Sequence, residues 1–168
     1  MTGARVLRVL FLCTGNSARS QMAEAIMNAK GKGRFRAESA GSRPAAQVNP
    51  FAIATMKEYF TPWTGHPPRG MDGLDRKQWD FVITVCDKAK ESCPIFPGQP
   101  VVAHWGMPDP ADVVGDEATQ RAAFRAAFQL LSRRIDLFLA LPFEKLERWA
   151  TELRVQAIGT PETDPARR

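Results

Sequence analysis

A cysteine and an arginine separated by five residues lie near the start of the chain, within the stretch CTGNSARS at 13–20. The apolar run Val9–Leu12 precedes this stretch and an Ala- and Met-rich segment follows it, which predicts a strand, a loop and a helix. A loop that opens a helix directs backbone N–H groups at one point, and such a point suits a tetrahedral oxyanion. We therefore predict that Cys13 is a nucleophile for oxyanion chemistry and that Arg19 binds two oxygens of the anion. The predicted oxyanion-binding residues are Thr14, Gly15, Asn16, Ser17, Ala18, Arg19 and Ser20.

The position of Cys13 also predicts an acidic thiol. The amino end of a helix and the Arg19 cation both favour the thiolate, so we expect the pKa of Cys13 to lie below that of an ordinary cysteine. A buried structural cysteine at the end of a core strand is the alternative interpretation. The glycine and polar residues of the stretch 13–20, together with Arg19, favour catalysis over that alternative.

Composition limits the class of protein. The chain has 168 residues, 44% of them hydrophobic, which suits one domain with a sizeable core. The net charge is +5, but Lys and Arg are scattered, so we expect no nucleic-acid partner and only a modest field that attracts small anions. No stretch approaches the roughly 18 apolar residues of a membrane span, and the apolar run near the start is too short for a signal peptide. We expect a cytoplasmic protein with no membrane partner, whose three cysteines are reactive rather than a disulfide framework.

Strand-like and helix-like patterns alternate along the chain, which predicts an α/β fold with a parallel sheet. The predicted strands are Val6–Leu12, Phe35–Ser39, Phe81–Val85 and Val101–Trp105, and the predicted helices begin near Gln21, at Asn49-Pro50 and before Phe124. Cys13, Cys86 and Asp109 each follow a strand. Because the carboxyl ends of parallel strands meet at one edge of a sheet, we expect these three residues on one face.

The end of the chain carries a second, shorter helical pattern. Apolar residues recur at helical spacing from Phe143 to Leu153, after Pro142. The residues that follow are polar and include two prolines. We therefore predict one catalytic domain over residues 1–157, with a helical extension at 142–157 and a flexible tail at 158–168.

The Cys-x5-Arg-Ser stretch on the first strand-to-helix turn resembles the anion loop of low-molecular-weight protein tyrosine phosphatases and of the arsenate reductases built on the same fold. Ser39-Ala40-Gly41 also resembles a short motif of that family, and the resemblance extends from about Val6 to Ile135. It implies a flavodoxin-like, three-layer sandwich around a four-stranded parallel sheet. It also implies that Asp109, in an Asp-Pro pair after the last strand, is the general acid. An ordinary turn aspartate is the alternative interpretation.

Two further cysteines distinguish the branches of the family. A phosphatase needs one thiolate and water, whereas an arsenate reductase must supply two electrons, which thiols provide by disulfide exchange. The segment from Cys86 to Pro94, which ends in Cys93-Pro94, resembles the redox segment of thiol-coupled arsenate reductases, as does His104-Trp105-Gly106 ahead of Asp109. Two buried structural thiols are the alternative, but the charged residues between them favour an exposed segment. A zinc site is disfavoured because the cysteines and the two histidines lack ligand spacing.

The resemblance implies a cysteine relay. Cys13 attacks the arsenic of arsenate while Asp109 protonates the departing oxygen, and Cys86 then attacks Cys13 and releases arsenite. Cys93 takes over the disulfide, and an external thiol reductant such as thioredoxin or glutaredoxin restores the enzyme. The relay implies no metal and no other cofactor.

Two positions depart from the family. Some members have a cysteine where this chain has Ala18, although the relay does not require it. Members with a potassium ion have oxygen-bearing residues after the loop histidine, whereas His66 is followed here by Pro67-Pro68-Arg69. We predict that Arg69 replaces the cation and pairs with Glu24.

Two rival functions stay open from the sequence. A phosphatase that hydrolyses phosphate monoesters through a phosphocysteine is the principal alternative, but the stretch after Asp109-Pro110 has no aromatic residue to hold a phenyl ring. A non-enzymatic module that binds arsenic or senses thiols is the third hypothesis. The combination of Cys13, Arg19 and Asp109 disfavours it.

Overall fold

Four parallel strands form the centre of the chain in the computed structural model, which describes residues 5–91 and 93–160. The strands are β1 (Leu7–Cys13), β2 (Phe35–Gly41), β3 (Phe81–Thr84) and β4 (Val101–His104), in the sheet order β2-β1-β3-β4. The helices are α1 (Arg19–Lys30), α2 (Pro50–Glu58), α3 (Asp87–Glu91), α4 (Glu117–Leu139) and α5 (Arg148–Ile158), with single 3-10 turns at Leu74–Arg76, Pro110–Asp112 and Phe143–Lys145. The α/β fold predicted above is confirmed, and the sheet order is that of the flavodoxin-like layout.

Strand β1 lies at the centre of the sheet and positions the anion loop. Residues Val9–Leu12 are almost wholly buried, as a central parallel strand with both faces covered requires. The register pairs Cys13 with Gly41 of β2 and Leu12 with Thr84 of β3. The carboxyl ends of three strands therefore meet at Cys13, Gly41 and Thr84, and loops from all three reach the same edge of the sheet.

Helix α4 supplies much of the core against α1 and the sheet. The residues predicted to form its apolar face are all buried, namely Phe124, Phe128, Leu131, Ile135 and Phe138. The ring of Phe138 lies 5.0 Å from those of Phe35, Phe81 and Phe143. Such edge-on and tilted aromatic contacts add to the free energy gained by burial alone, and they fix α4 against the amino ends of β2 and β3.

Local signals explain where several helices begin. Asn49 accepts a hydrogen bond from the N–H of Phe51 at 2.9 Å, and Pro50 occupies the first helical position of α2 as predicted. Asp116 caps α4 in the same way through the N–H of Thr119. The segment Leu74–Arg76 forms only a single 3-10 turn.

Helix α5 packs along the outer edge of β4. The indole of Trp105 donates to the carbonyl of Val155 at 3.0 Å, and the Gln156 amide donates to the carbonyl of Val102 at 3.2 Å. These contacts cover part of an edge strand that would otherwise present unpaired backbone groups. The sequence placed the end of the folded region at 157, whereas α5 continues to the buried Ile158. Most of the predicted tail, 161–168, lies outside the described residues.

Across 5–91 and 93–160, no helix combines the length and the apolar character that a membrane crossing requires.

Candidate active site

The thiol of Cys13 lies inside the predicted anion loop and is hydrogen-bonded there. Its Sγ is 2.8 Å from the hydroxyl of Ser20 and accepts the backbone N–H of Asn16 at 3.1 Å. Cys13 is the last residue of β1, and Arg19 and Ser20 open α1. The strand, loop and helix predicted from the sequence therefore place the cysteine in front of the first turn of α1.

Asn16 holds the loop in shape from within. It has a left-handed backbone conformation with φ of 50°, which asparagine tolerates better than most residues, and it is fully buried. Its amide donates to the hydroxyls of Ser20 at 2.8 Å and Ser39 at 3.0 Å. Its carbonyl oxygen accepts from the side chain of Gln21 and from the backbone N–H of Arg69. Asn16 thus ties the loop to α1, to β2 and to the segment before the first 3-10 turn.

Gly41 explains why the Ser39-Ala40-Gly41 motif ends in glycine. A Cβ at this position would lie 2.4 Å from the carbonyl oxygen of Thr14 and 2.9 Å from the backbone nitrogen of Asn16. Any side chain there would displace the anion loop, so the motif permits the loop to pack directly on the end of β2.

The pKa of Cys13 differs from the sequence-based prediction. Burial raises the pKa of this thiol, while hydrogen bonds from Ser20 and Asn16 and the charge of Arg19 lower it. Burial is the largest effect, so the pKa of Cys13 lies above that of an ordinary cysteine instead of below it. The sequence identified the groups that stabilise the thiolate but not how completely the core covers the sulfur, which is part of a residue only 3% exposed.

Arg19 and Asp109 meet across the mouth of the loop. Arg19 Nη2 lies 3.3 Å from Asp109 Oδ2, and Nη1 donates to the carbonyl of Met107 at 3.1 Å. The other oxygen of Asp109 accepts the N–H of Ala111 at 3.0 Å. Both side chains line a cavity of about 430 Å³ that also includes Thr14. The guanidinium and the predicted general acid therefore face one common space above the loop.

Cys86 lies at the same cavity above the anion loop. It lines the cavity with Arg19 and Asp109, and its Sγ shares a hydrogen bond of 3.2 Å with the hydroxyl of Thr14, the residue after Cys13. The backbone N–H of Ala89, in the first turn of α3, donates to the same sulfur at 3.4 Å. The structure thus brings Cys86 to the anion loop, as the sequence predicted from the ends of β1 and β3.

Cys93 lies elsewhere. It follows α3, is half-buried, and donates weakly to the carbonyl of Pro94 at 3.6 Å. It lines a second cavity of about 470 Å³ together with His104 of β4 and residues of α5, not the cavity above the loop. Burial raises the pKa of its thiol. All three cysteines are free thiols.

A buried carboxylate supports the loop from behind. Glu24 of α1 lies 2.7 Å from His66 Nε2 and 3.5 Å from Arg69 Nη2, and it accepts a hydrogen bond from Ser39 at 3.4 Å. The pairing of Arg69 with Glu24 predicted from the sequence is therefore present. Burial raises the pKa of Glu24, and the His66 and Arg69 partners oppose that rise. In the part of the chain that the structure describes, no group of three or more His, Cys, Asp or Glu side chains is arranged to hold a metal ion.

Sequence reasoning missed two supporting contacts. His104 joins β3 to α3, because its Nδ1 lies 2.7 Å from the Thr84 hydroxyl and its Nε2 lies 2.8 Å from the Asp87 carboxylate. The ends of neighbouring strands could have signalled this pair, since Asp87 follows β3 and His104 ends β4. Arg134 of α4 donates to the carbonyls of Trp105 and Gly106 under the segment that leads to Asp109. No local pattern in the sequence distinguishes this arginine from the others on α4.

Comparison with known proteins places the chain in a family. The sequence profile of the family described as low molecular weight phosphotyrosine protein phosphatase matches residues 8–151. An arsenate reductase of Oceanobacillus iheyensis is 36% identical over 130 residues, which cover 77% of this chain and 93% of that protein. The crystal structure of an arsenate reductase from Archaeoglobus fulgidus is 33% identical with a TM-score of 0.58, over 76% of this chain and 98% of that one. A low molecular weight protein tyrosine phosphatase from T. tengcongensis is 28% identical with a TM-score of 0.67, over 83% of this chain and 99% of that one. The chain therefore belongs to the low molecular weight phosphotyrosine protein phosphatase family, and its relatives within that family include arsenate reductases.

Proposed function

We propose that this protein is an arsenate reductase that converts arsenate to arsenite through a cysteine relay and an external thiol donor, and that it serves arsenic detoxification. The observation that carries the proposal is the contact of 3.2 Å between Cys86 and Thr14. It places a second thiol at an anion loop that already contains Cys13. Hydrolysis of a phosphate ester does not need that second thiol, whereas a two-electron reduction does.

Binding of the substrate follows from the loop and its arginine. The backbone N–H groups of residues 14–20 and the positive end of α1 bind the oxyanion, and Arg19 supplies two parallel donors. In the structure, Arg19 contacts Asp109 and the carbonyl of Met107. These contacts hold the guanidinium at the mouth of the loop, so that little side-chain entropy remains to be lost when an anion binds.

The first chemical step forms a bond between sulfur and arsenic. The Cys13 thiolate attacks arsenic, one arsenic–oxygen bond breaks, and Asp109 gives the departing oxygen its proton so that it leaves as water. Ser20 donates to the sulfur until that bond forms, at a hydroxyl–sulfur distance of 2.8 Å. Asp109 lines the cavity directly above the loop, as a proton donor to a bound anion must.

The second step reduces arsenic. Cys86 attacks the Cys13 sulfur, the sulfur–arsenic bond breaks, and its electron pair stays on arsenic, which leaves as arsenite. A disulfide between Cys13 and Cys86 remains. Cys93 then attacks Cys86, the bond between Cys13 and Cys86 breaks, and Cys13 is restored as a thiolate for the next cycle. A thiol donor such as thioredoxin or glutaredoxin reduces the resulting Cys86–Cys93 disulfide, so two donor thiols are oxidised for each arsenate reduced.

The relay requires Cys93 to move, because it lines a different cavity from Cys86. Helix α3 between them has only five residues, so few backbone hydrogen bonds oppose the movement. We propose that one catalytic domain carries all of these steps in the cytoplasm, a reducing compartment in which free thiols persist.

Phosphatase activity is the second candidate function, because phosphate has the shape and charge of arsenate and the same three residues suffice for it. Cys13 would form a phosphocysteine, with Arg19 binding the phosphoryl oxygens and Asp109 protonating the leaving group. We propose that any such activity is residual.

An assay of arsenate-dependent NADPH oxidation, coupled either through thioredoxin reductase and thioredoxin or through glutathione reductase and glutathione, tests the main proposal. We expect the wild-type protein to turn over repeatedly, and Cys86→Ser and Cys93→Ser to fail to do so. Hydrolysis of p-nitrophenyl phosphate serves as the control, since it needs Cys13, Arg19 and Asp109 but neither of the other cysteines. A Cys86→Ser variant that reduces arsenate at the wild-type rate would overturn the relay.

A further inference from the structure

The cavity beside Cys93 has a lining that the proposed relay does not use. Its volume of about 470 Å³ is within the range of small-molecule sites. One side is formed by Lys90 of α3, Cys93 and Val102 of β4. Glu152 and Gln156 of α5 line the cavity as well. A reactive thiol therefore faces a space that carries one ammonium group and one carboxylate.

The wall formed by α5 lies beyond the family match, which ends at residue 151. It is nevertheless fixed in place. Val155 is fully buried and its carbonyl accepts the Trp105 indole. Gly159 packs so closely on β4 that a Cβ there would lie 2.1 Å from the carbonyl oxygen of His104. The cavity therefore has a wall, α5, that is held in a fixed position by its contacts with Trp105 and β4.

The charges in the cavity are available to a ligand. Within 5–91 and 93–160, the ammonium group of Lys90 has no hydrogen-bond or ion-pair partner. Among the described residues, the Glu152 carboxylate accepts a side-chain hydrogen bond only from the Gln156 amide, at a long distance of 3.5 Å. Val102 and Ala103 add apolar surface to the lining. A ligand that matches this lining has a carboxylate, an ammonium group, a short carbon chain and a sulfur.

We propose, on the basis of the reductase function above, that this cavity binds a small zwitterionic thiol, an amino-acid or short-peptide thiol, which is the direct reductant of Cys93. The donor carboxylate pairs with Lys90 and its ammonium group with Glu152. Helix α5 lines the cavity beside Cys93. A donor protein would have to approach this thiol past that helix, whereas a small donor fits inside the cavity. The extension therefore favours a small donor over a protein.

The donor reduces the Cys86–Cys93 disulfide in two thiol–disulfide exchange steps. The donor thiolate attacks Cys93 in the Cys86–Cys93 disulfide, the S–S bond breaks, and the electron pair leaves on Cys86, which takes up a proton. Cys93, released from Cys86, then returns to the cavity that it lines in the reduced protein. The donor half of the mixed disulfide lies between Lys90 and Glu152. A second donor thiolate attacks the donor sulfur, releases Cys93 as a thiol, and leaves as the donor disulfide.

Trapping the mixed disulfide tests the proposal without arsenate. The Cys86→Ser variant, which cannot resolve an adduct on Cys93, is treated with glutathione disulfide or with the uncharged bis(2-hydroxyethyl) disulfide. Mass spectrometry of peptides locates the adduct and gives the rate at which each of the two disulfides forms an adduct on Cys93. The ratio of these rates in urea-unfolded protein corrects for the intrinsic reactivity of the two reagents. We expect the corrected ratio to favour glutathione by about tenfold, the combined effect of two partly exposed ion pairs.

Single-charge variants show whether the cavity causes that preference. Lys90→Gln and Glu152→Gln should each lower the corrected ratio about threefold. Lys57→Gln on α2 and Glu144→Gln, which are exposed and outside this cavity, should not change it. An unchanged ratio in both cavity variants, or the absence of any adduct on Cys93, would overturn the proposal.

Turnover separates this proposal from the reductase assignment. With arsenate as substrate, Lys90→Gln should raise the KM for glutathione and should leave the rate of thioredoxin-driven turnover unchanged. Turnover with thioredoxin and no turnover with glutathione would overturn the proposal of a small thiol donor but would leave the reductase function intact. Selective trapping on Cys93 without any arsenate reduction would instead overturn the reductase function alone.

Discussion

His104 Nε2 lies 2.8 Å from the carboxylate of Asp87, the residue that follows Cys86. The pair fixes the first turn of α3 to the end of β4, and Thr84 fixes the other ring nitrogen of His104 at 2.7 Å. Helix α3 has only five residues, too few to be stable without tertiary contacts. The position of Cys86 at the anion loop therefore depends on a histidine that belongs to another strand.

We expect His104→Ala to loosen α3 in the reduced protein. Amide hydrogen exchange at Ala89 and Lys90 should speed up by about tenfold, which corresponds to the loss of one hydrogen bond to a charged group. His66→Ala, which removes the only other histidine of the chain, is the matched control and should leave α3 unchanged. Equal exchange in wild-type and His104→Ala protein would show that the pair does not hold the segment.

Oxidation should rearrange the same segment. If residues between Cys86 and Cys93 kept a helical rise, their Cα atoms would be ~10.5 Å apart, whereas a disulfide requires about 4.4–6.8 Å. Formation of the disulfide also removes the thiol that accepts the N–H of Ala89. We expect Ala89 and Lys90 to lose protection from hydrogen exchange when Cys86 and Cys93 are joined. Identical protection in the two redox states would contradict this rearrangement.

The fold was predictable because its signals are local. Buried parallel strands appear as short apolar runs, and both ends of β1 were predicted to within one residue. The apolar spacing also identified the core residues of α4 from Phe124 to Phe138, but it did not locate the start of the helix, which lies earlier, at Glu117. The resemblance added the sheet order and the role assigned to Asp109. The Arg69–Glu24 pair was predictable as well, because an extra positive charge after His66 requires a partner at a site otherwise suited to a cation.

The remaining features depend on distances that no local pattern encodes. The predicted direction of the Cys13 pKa shift was wrong, because burial raises this pKa and burial depends on how the whole core covers the sulfur. The separation of Cys93 from Cys86 into different cavities depends on where α5 packs, and α5 is held by Trp105, fifty positions from Val155. A pattern of apolar residues predicted the helix but not the strand edge that it covers.

The thiolate of Cys13 should depend on Ser20. Because burial raises the pKa of Cys13, the thiolate fraction and the rate of alkylation rise as the pH rises through that pKa. Ser20→Ala removes a hydrogen bond that lowers the pKa, so the midpoint of the pH–rate curve for iodoacetamide should move to higher pH. The measurement uses a Cys86→Ser, Cys93→Ser background, and Ser42→Ala serves as the control. A midpoint that moves to lower pH in Ser20→Ala would refute the hydrogen-bond assignment.

Arg19→Lys should weaken oxyanion binding although it keeps the charge. A lysine cannot present two parallel donors to an anion, nor reproduce the contacts that Arg19 makes with Asp109 and Met107. The loss of one charge-assisted hydrogen bond corresponds to roughly tenfold weaker binding or more. Calorimetric titration with phosphate gives the dissociation constant directly, and Arg36→Lys on the exposed side of β2 should leave it unchanged. Equal affinity in Arg19→Lys and wild type would rule out the bidentate role.

Activity should not depend selectively on potassium. Arg69 Nη2 lies 3.5 Å from Glu24, and His66 lies 2.7 Å from its other oxygen, so two side chains already contact the carboxylate that a cation would need. A potassium ion beside the guanidinium would be repelled, most strongly where burial lowers the effective dielectric constant. Replacing potassium with a large organic cation at fixed ionic strength should therefore leave the rate of arsenate reduction unchanged. Arg69→Ala provides the contrast, because it removes the positive charge while Glu24 stays buried and able to accept a cation. Selective stimulation of the wild-type protein by potassium would show that Arg69 does not occupy the cation position.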